Sequence, residues 1–349
     1  LDLCSTDDVA FRRKNTLFDQ VRLMHCALPD VHIDHIDLAT TVLGHRLRAP
    51  LFFSAMTGGT DRAEAVNRAL ASVAEELGLG FGFGSMRPLI EDGVTTGYNV
   101  RDVAPTALVL GNVGVVQAAQ TPTSRLEEVL QRTGCSALAI HLNPAQEVVQ
   151  PGGDTDFRGG LAAIERLVRE LQLPVLVKET GCGLSRAVAE QLVDAGVTWV
   201  DVSGAGGTSW VGVETLRARA RTRELGELFW DWGIPTAASV AQLAGLPLGV
   251  VATGGIRHGL DVARAVALGA AAGGMARRFL MAHQQGGRDA VLRAATDTID
   301  EVRVACLLTG SADLATLRGR HLVLGPDLLQ WLPAGSPLRA RLADAAISR

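Results

Sequence analysis

Short apolar runs alternate with helical patterns along most of this chain, and this alternation limits its possible folds more than any other feature. Apolar residues at helical spacing separate most of the runs, as in Ala63–Leu77, Phe157–Leu171 and Ser185–Ala195. Eight β/α units within roughly 230 residues are typical of a closed (β/α)8 TIM barrel. The predicted strands are Pro50–Ala55, Gly80–Gly84, Ala107–Asn112, Leu138–Leu142, Val175–Glu179, Trp199–Ser203, Gly249–Thr253 and Ala272–Ala276.

The alternative fold is a doubly wound open sheet. That fold would need GxGxxG directly after the first strand and an acidic residue about 20 residues later, a pattern that this chain lacks in that setting. We therefore predict one α/β domain over residues 1–349. It has a pre-barrel segment at 1–49, a barrel at 50–309, and a tail of one or two helices at 310–349.

One segment of the barrel, Gly204–Thr236, is longer than a β/α repeat requires. It carries alternating arginines at Arg217, Arg219, Arg221 and Arg223. We predict that these form a solvated helix face, the commonest structure for such a charge run. Long barrel loops also serve as lids or subunit contacts, so this insertion and the pre-barrel segment together predict a homo-oligomer.

Composition excludes several classes of function. Aromatic residues make up 4% of the chain and the net charge is −4, so neither a base-stacking surface nor a broad nucleic-acid footprint is expected. The five cysteines form no CxxC pair, which argues against zinc and disulfides and predicts a reducing, cytoplasmic location. Two uncharged stretches, 103–124 and 233–256, are broken by Pro and Gly, so no membrane span is expected.

Two glycine-rich loops predict a phosphate site. Thr253–Arg257 ends the seventh predicted strand, and Gly273–Arg277 ends the eighth. Glycine lets backbone N–H groups approach an anion closely, and barrels commonly bind phosphate after strands seven and eight. The alternative is that both turns need glycine for their backbone geometry alone.

Polar residues end most of the other predicted strands. Lys178 ends the fifth, where a buried ammonium must pair with an acid such as Glu179 or meet a negative ligand. We predict that Lys178 lies beside an electron-rich cofactor ring. Ala55–Gly59 ends the first strand and either forms a turn or lines the face of a flat ring. Four further strand-end residues could each be a turn or cap residue, but together they indicate a site: Ser85, Arg87, Asn112 and Ser203.

The segment His141–Glu147 holds an imidazole, two amides and a carboxylate directly after the fourth predicted strand. Active sites of parallel α/β proteins lie where strands end, so this polarity predicts a reaction site. A carboxylate such as Glu147, beside a phosphate-bearing ligand, is typical of Mg²⁺, which keeps waters and substrate oxygens as its other ligands. The alternative for Glu147 is an acidic residue at the start of a helix.

Together these motifs resemble the type 2, FMN-dependent isopentenyl-diphosphate isomerase family. The resemblance runs from about Val9 to Gly310. A glycine-rich GGIR loop alone is shared by several FMN- or phosphate-binding barrels, whereas the ordered set is specific. The matching motifs are Ala55–Gly59, Gly84–Arg87, Asn112–Gly114, His141–Asn143 with Gln146-Glu147, Asp154–Phe157, Lys178-Glu179, Gly206–Trp210, Trp232–Thr236 and Gly254–Arg257.

The resemblance implies an enzyme that interconverts isopentenyl diphosphate and dimethylallyl diphosphate. It implies reduced FMN as an acid–base group, Mg²⁺ on the diphosphate and NADPH as reductant. Arg87 and Asn143 would bind the diphosphate, Glu147 would bind Mg²⁺, and the catalytic candidates His141 and Gln146 would lie at the five-carbon chain. The implied FMN-binding residues are Ala55, Met56, Thr57, Ser85, Asn112, Lys178, Ser203, Thr208, Gly254, Gly255, Ile256, Arg257, Gly274, Met275 and Ala276.

One family element is missing from the start of this sequence. The family begins with Arg-Lys-x-x-His, which contributes to diphosphate binding, and Leu1–Ala10 contains no such element. Because the sequence opens on Leu1, we expect that element upstream of it. We expect the oligomer to be a tetramer or an octamer.

Three other functions stay open at this stage. An FMN-dependent 2-hydroxy-acid oxidase would need a His base after strand six, and Ser203–Gly207 contains none. A nucleotide dehydrogenase of this barrel type would need a Cys there, but the chain has none between Cys182 and Cys306. A non-catalytic flavin- or phosphate-binding barrel would have no need of the polar His141–Glu147 segment.

Overall fold

Eight parallel strands close into a barrel, which confirms the predicted (β/α)8 architecture. The structure is a computed structural model that describes residues 2–340. The strands follow chain order around the barrel, and the eighth pairs with the first. They are β1 Leu51–Phe53, β2 Gly80–Gly82, β3 Leu108–Gly114, β4 Ala137–Leu142, β5 Val175–Glu179, β6 Trp199–Asp201, β7 Gly249–Ala252 and β8 Ala272–Met275.

Strand register aligns the functional ends of β3 to β6. Gly114 pairs with His141, His141 with Lys178, and Lys178 with Asp201. Side chains alternate between the two faces of a strand, so His141 and Lys178 continue the inward-facing positions of Ala139 and Leu176. The barrel interior therefore changes from apolar to polar within two residues along these strands.

Helices cover the outside of the barrel. Thr60 and Ser185 cap two of them by accepting hydrogen bonds from backbone N–H groups, as these residue types commonly do. The α-helices are Asp61–Leu77, Arg87–Glu91, Val115–Gln120, Thr123–Thr133, Pro144–Glu147, Gly160–Glu170, Arg186–Asp194, Trp210–Arg217, Ala220–Phe229, Thr236–Gln242, Gly259–Leu268, Arg277–Leu308, Leu314–Gly319 and Pro326–Leu329. Short 3-10 helices span Leu3–Ser5, Asp7–Val9, Phe18–Gln20 and Ile33–His35.

Two helix boundaries differ from the predictions. Thr123 and Ser124 are residue types that commonly cap a helix, but Pro122 is the cap residue here and the Thr123 hydroxyl donates to Glu170 instead. The helix expected from Phe157 begins only at Gly160, because Gly159 has a left-handed backbone. The long Arg277–Leu308 helix is also broken at Gly286 and Gly287, whose backbone angles are not helical.

An apolar hairpin closes the amino-terminal end of the barrel. Strands Thr40–Val42 and His45–Leu47 pair antiparallel, and their buried side chains pack against the apolar layer inside the barrel. That layer includes Leu108, Leu110 and Leu176. A ligand inside the barrel can therefore enter only from the carboxyl ends of the strands.

The C-terminal tail contains a β-strand in addition to the predicted helices. It contains helices Leu314–Gly319 and Pro326–Leu329, and between them a strand, Leu322–Leu324. This strand pairs antiparallel with Val21–Leu23 of the pre-barrel segment. The last part of the tail, residues 341–349, lies outside the described residues. Over residues 2–340, no helix is both long and apolar enough to cross a membrane.

Candidate active site

A cavity of about 1030 Å³ opens at the carboxyl ends of the strands. Its volume is at the upper end of ordinary ligand pockets. Residues that follow β1, β5, β6, β7 and β8 line it, together with the N-terminal segment from Asp2 to Ala10. The predicted FMN-binding residues in its wall are Ala55, Met56, Thr57, Lys178, Ser203, Thr208, Gly254, Gly255, Ile256, Arg257, Gly274, Met275 and Ala276.

The wall of this cavity is rich in positive charge. Five cationic side chains line it, against two carboxylates, Asp2 and Asp7. Asp7 is already paired with Arg277 at 2.7 Å. Three more of the arginines are paired with carboxylates outside the wall, namely Glu214, Asp261 and Glu301, so the attraction for an anionic ligand comes from cations that are held in place by acids behind them. The cations are Lys178, Arg217, Arg257, Arg277 and Arg278.

Backbone geometry alone explains the glycines of the loop after β7. Gly254 and Gly255 have φ values of +94° and +72°, which disfavour any residue with a side chain. A methyl group on Gly254 would also collide with the backbone of Gly204. The glycines therefore shape the loop, and the case for a phosphate rests on the cations beside it.

Two further observations support the binding of a phosphate-bearing flavin in this cavity. The Ser54 hydroxyl is buried in its wall and has no hydrogen-bond partner within residues 2–340. A buried hydroxyl without a partner is costly, so a ligand atom is its natural partner. At the phosphate end, no side chain caps the Arg277–Leu308 helix, and only the N–H groups of Phe279 and Leu280 in its first turn donate to the Ala276 carbonyl oxygen, which leaves the helix N-terminus open to an anion. Loop arginines and this helix could hold the phosphate, and Lys178 and Ser54 could contact the ring.

Lys178 is fixed at the floor of the cavity. Its ammonium donates to the Glu179 carbonyl oxygen at 2.6 Å and to the Ser203 hydroxyl at 3.2 Å. An ammonium has three donors, so one remains for a ligand. Asp201 is its registered neighbour on β6 and is also buried. Burial raises the pKa of Asp201, while Lys178 and the Thr253 hydroxyl act in the opposite direction.

His141 is neutral and has a defined tautomer. The Asn112 amide donates to the Phe83 carbonyl oxygen, so its own oxygen must accept from His141 Nδ1, 2.9 Å away. The proton therefore lies on Nδ1 and the lone pair on Nε2. Burial, with a smaller effect of the Lys178 cation, lowers the pKa of His141 to about 3.

Glu147 lies at the centre of a polar cluster. One carboxylate oxygen accepts from the Asn143 amide at 2.7 Å, and the other accepts from the Asp154 backbone N–H at 2.7 Å. Asp154 accepts in turn from Arg87 at 3.1 Å and from Gln117 at 2.8 Å. This network brings the predicted diphosphate-binding Arg87 to the predicted metal ligand.

The polar cluster around Glu147 fits only a metal ion that takes most of its ligands from substrate and water. No group of three His, Cys, Asp or Glu residues that could hold a metal ion occurs in the described chain, residues 2–340. At most two such side chains could therefore bind a metal together, and Glu147 is the predicted carboxylate ligand. A single carboxylate suits Mg²⁺, which binds proteins through one or two carboxylates plus phosphate oxygens.

Some predicted site residues lie away from the large cavity. The Ser85 hydroxyl accepts from the Arg87 backbone N–H at 3.4 Å, and Ser85 is exposed. Asn112 borders a separate small cavity inside the barrel, shared with Ser54, Lys178 and Asp201. The polar cluster around Glu147 is likewise outside the cavity wall, and the His141–Lys178 pairing connects it to the floor.

Sequence reasoning missed several residues of the site. Arg217 is exposed on a helix, as predicted, but it also lines the cavity and pairs with buried Glu214 at 3.2 Å. Arg219, Arg221 and Arg223 are exposed, as predicted. Gln146 donates to Glu214 at 3.5 Å, a contact across 68 residues. No local pattern signals such a pair; only the apolar flanks of Glu214 mark it as buried.

Comparison with a family profile and with solved structures defines the general class of this protein. The profile of the FMN-dependent dehydrogenase family matches residues 1–96 and 141–324. A solved mandelate oxidase superposes with a TM-score of 0.65 at 21% identity, covering 92% of each chain. A solved flavocytochrome b2 superposes with a TM-score of 0.67 at 20% identity, covering 93% of this chain and 79% of that one. The protein is thus an FMN-dependent barrel protein, and these structures share its fold.

Sequence relatives narrow the class to one family. Isopentenyl-diphosphate delta-isomerase of Methanosarcina barkeri is 43% identical over 338 residues, 95% of this chain and 92% of that protein. The Synechococcus protein of the same name is 46% identical over 333 residues, 93% of this chain and 94% of that protein. The chain therefore belongs to the isopentenyl-diphosphate delta-isomerase family.

Proposed function

We propose that this chain interconverts isopentenyl diphosphate and dimethylallyl diphosphate, with FMN in the large cavity, Mg²⁺ on the diphosphate and NADPH as the reductant of the flavin. The observation that carries the proposal is the pairing of His141 with Lys178 across β4 and β5. It connects the polar His141–Glu147 segment to the floor of a cavity rich in cations. Identity of 43% and 46% to the two isomerases, over nearly the full length of both chains, supports the same substrate pair.

The proposal divides the ligands between two sets of residues. Gly254–Arg257 and Gly274–Ala276 would hold the FMN phosphate, and Ala55–Thr57, Thr208 and Lys178 would contact its ring. Asn112, Ser85 and Ser203 stay proposed ring contacts. On the other side, Arg87 and Asn143 would bind the substrate diphosphate, and Glu147 would bind Mg²⁺.

The chemistry requires a proton to be added at one alkene carbon and another to be removed two carbons away. Reduced FMN, when bound, supplies an exchangeable proton and an electron-rich ring beside the substrate. The protein binds the remote diphosphate and so orients the five-carbon chain. Lys178 favours negative charge on the bound ring.

His141 and Gln146 would act at the carbon chain. Neutral His141 has its Nδ1 proton held by Asn112, so Nε2 can accept a hydrogen bond. Gln146 is an amide without a titratable proton, so we give it an orienting function. Its contact with Glu214 would fix that orientation.

The test follows the reaction directly. The full-length protein is reduced anaerobically with NADPH in the presence of FMN and Mg²⁺, and isopentenyl diphosphate is followed by proton NMR. We expect the terminal alkene signals to be replaced by those of the trisubstituted alkene. Absence of conversion by protein that carries reduced FMN would falsify the proposed reaction.

The oxidase alternative has less support. Ser203–Gly207, after β6, provides no histidine base. The oxidase structures share about a fifth of the sequence, which supports the common fold only. Oxygen consumption with a 2-hydroxy acid tests this activity, and we expect none above background. We also propose a cytoplasmic location and a homo-oligomer, a tetramer or octamer, which size-exclusion chromatography with light scattering would measure.

A further inference from the structure

We propose that Asp201 is a positioning residue that holds Ser203 in a left-handed backbone conformation, so that Ser203 aims the Lys178 ammonium into the cavity. None of the sequence motifs includes Asp201. The inference rests on the proposed binding of FMN in this cavity. It adds Asp201 to the site and gives Ser203 a function in orienting the cation at the cavity floor.

The backbone of Ser203 is strained. Its φ is +35°, a left-handed value that residues with a side chain rarely adopt. Such a conformation is unfavourable and persists only where the surroundings enforce it. Glycine would adopt the same angle without strain. The presence of serine therefore indicates that its hydroxyl has a function at this position.

Asp201 enforces the conformation. One oxygen of its buried carboxylate accepts from the Ser203 backbone N–H at 3.1 Å and from the Thr253 hydroxyl at 2.6 Å. A carboxylate that binds the N–H two residues later forms an Asx-turn. The Ser203 carbonyl oxygen is fixed as well, because it accepts from Gly181 and Gly183 at 2.9 and 3.1 Å. Both ends of the residue are thus held.

Ser203 then determines where the lysine head lies. Its hydroxyl and the Glu179 carbonyl oxygen are the two acceptors of the Lys178 ammonium. A lysine has a flexible four-carbon stem, so two fixed acceptors are needed to direct its remaining N–H. With Ser203 relaxed to an ordinary backbone angle, its hydroxyl would move and the ammonium would lose one of those acceptors.

The experiment compares three variants of the FMN-loaded protein. Each is tested for its FMN Kd, by quenching of flavin fluorescence, for the flavin midpoint potential and for its Tm. Asp201→Ala removes the acceptor, and we expect the FMN Kd to rise about tenfold or more, with a more negative midpoint potential. Asp201→Asn keeps an oxygen that can accept both hydrogen bonds, so we expect a Kd within about threefold of wild type.

Ser203→Gly separates function from folding. Glycine accepts the left-handed angle, so we expect an unchanged or higher Tm. It removes the hydroxyl, so we expect the same loss of FMN affinity and the same shift in potential as in Asp201→Ala. If Ser203 only formed the turn, Ser203→Gly would be stable and would bind FMN with wild-type affinity.

Asp37→Ala is the matched control. Asp37 forms the same kind of turn with the Ala39 backbone N–H, 2.8 Å away, but it is exposed and outside the cavity. We expect its Kd and potential to equal those of wild type. Equal losses in Asp201→Asn and Asp201→Ala, or wild-type affinity in Ser203→Gly, would overturn the positioning proposal. Failure of the wild-type protein to bind FMN would instead overturn the proposed function.

Discussion

The two ends of the barrel interior are opposite in chemistry although the same strands form both. At the amino-terminal end, the hairpin residues Val42, Leu43 and Leu47 pack on apolar strand positions. At the carboxyl end, two residues further along the strands, Lys178 and Asp201 are buried instead. The first end provides stability through apolar burial. The second carries buried charges and a strained backbone at Ser203, which lower stability and serve binding.

Lys178→Met gives the largest expected effect at the polar end. Removing the cation beside the bound flavin should lower kcat/KM about a hundredfold or more. Because methionine leaves the buried carboxylate of Asp201 without its neighbouring cation, Tm should fall. Steady-state kinetics at saturating FMN and thermal unfolding measure the two effects. A kcat/KM within tenfold of wild type would contradict the assignment.

Leu47→Ala tests the apolar end. Leu47 is 1% exposed, so its truncation should lower the free energy of unfolding by about 2–5 kcal/mol. KM should not change, because the hairpin lies at the opposite end from the cavity. Urea unfolding and kinetics on the same samples test both statements. Leu28→Ala is the control, since Leu28 is 90% exposed and should have no effect. A changed KM in Leu47→Ala would show that the two ends are coupled.

Glu147→Gln should act mainly on Mg²⁺ binding, although its amide can keep only one of the two hydrogen bonds that the carboxylate accepts from Asn143 and Asp154. The loss of one negative charge should weaken apparent Mg²⁺ affinity about tenfold or more. The measurement is the initial rate as a function of Mg²⁺ concentration at saturating substrate. Glu128→Gln is a matched control, because Glu128 is an exposed partner of Arg125 on an outer helix. Unchanged Mg²⁺ dependence in Glu147→Gln would remove this residue from the metal site.

Glu179→Gln gives the smallest effect and concerns pH. Burial raises the pKa of Glu179 to about 8, outweighing Lys178 and the backbone N–H groups that bind its carboxylate. The folded protein therefore holds a proton that the unfolded chain releases at its lower pKa. This contribution to stability is complete below about pH 4 and is lost as the pH rises through about 8. The loss of stability between pH 5 and 8.5 should be smaller in the variant, as measured by urea unfolding. An identical loss in both proteins would contradict the raised pKa.

The sequence predicts the barrel well because strand and helix periods are local properties. All eight predicted strands exist, with ends that differ by a few residues, as in β3, which extends to Gly114. Helix boundaries differ where a glycine such as Gly159 has a positive φ, because a left-handed residue cannot continue an α-helix.

Local patterns do not predict which side chains that are distant in sequence contact each other. Asp154 contacts Arg87 and Gln117, which are 67 and 37 residues away, and no spacing rule connects them. Arg217 belongs by sequence to a charged run, and only the fold turns it toward the cavity. Residues of the site could therefore be predicted where strands end, and could not where two distant segments meet.

The pairing of Val21–Leu23 with Leu322–Leu324 has a consequence for biosynthesis. Val21–Leu23 leaves the ribosome before the barrel does, but its partner strand Leu322–Leu324 emerges only after the whole barrel has been translated. The residues before Val21, which include the Asp2–Ala10 wall of the cavity, hence stay without that anchor for most of translation. Domains ordinarily begin to fold from the N-terminus as they emerge. In this protein, the Asp2–Ala10 wall of the cavity is translated before the barrel, and the strand that follows it pairs only with a segment translated after the barrel.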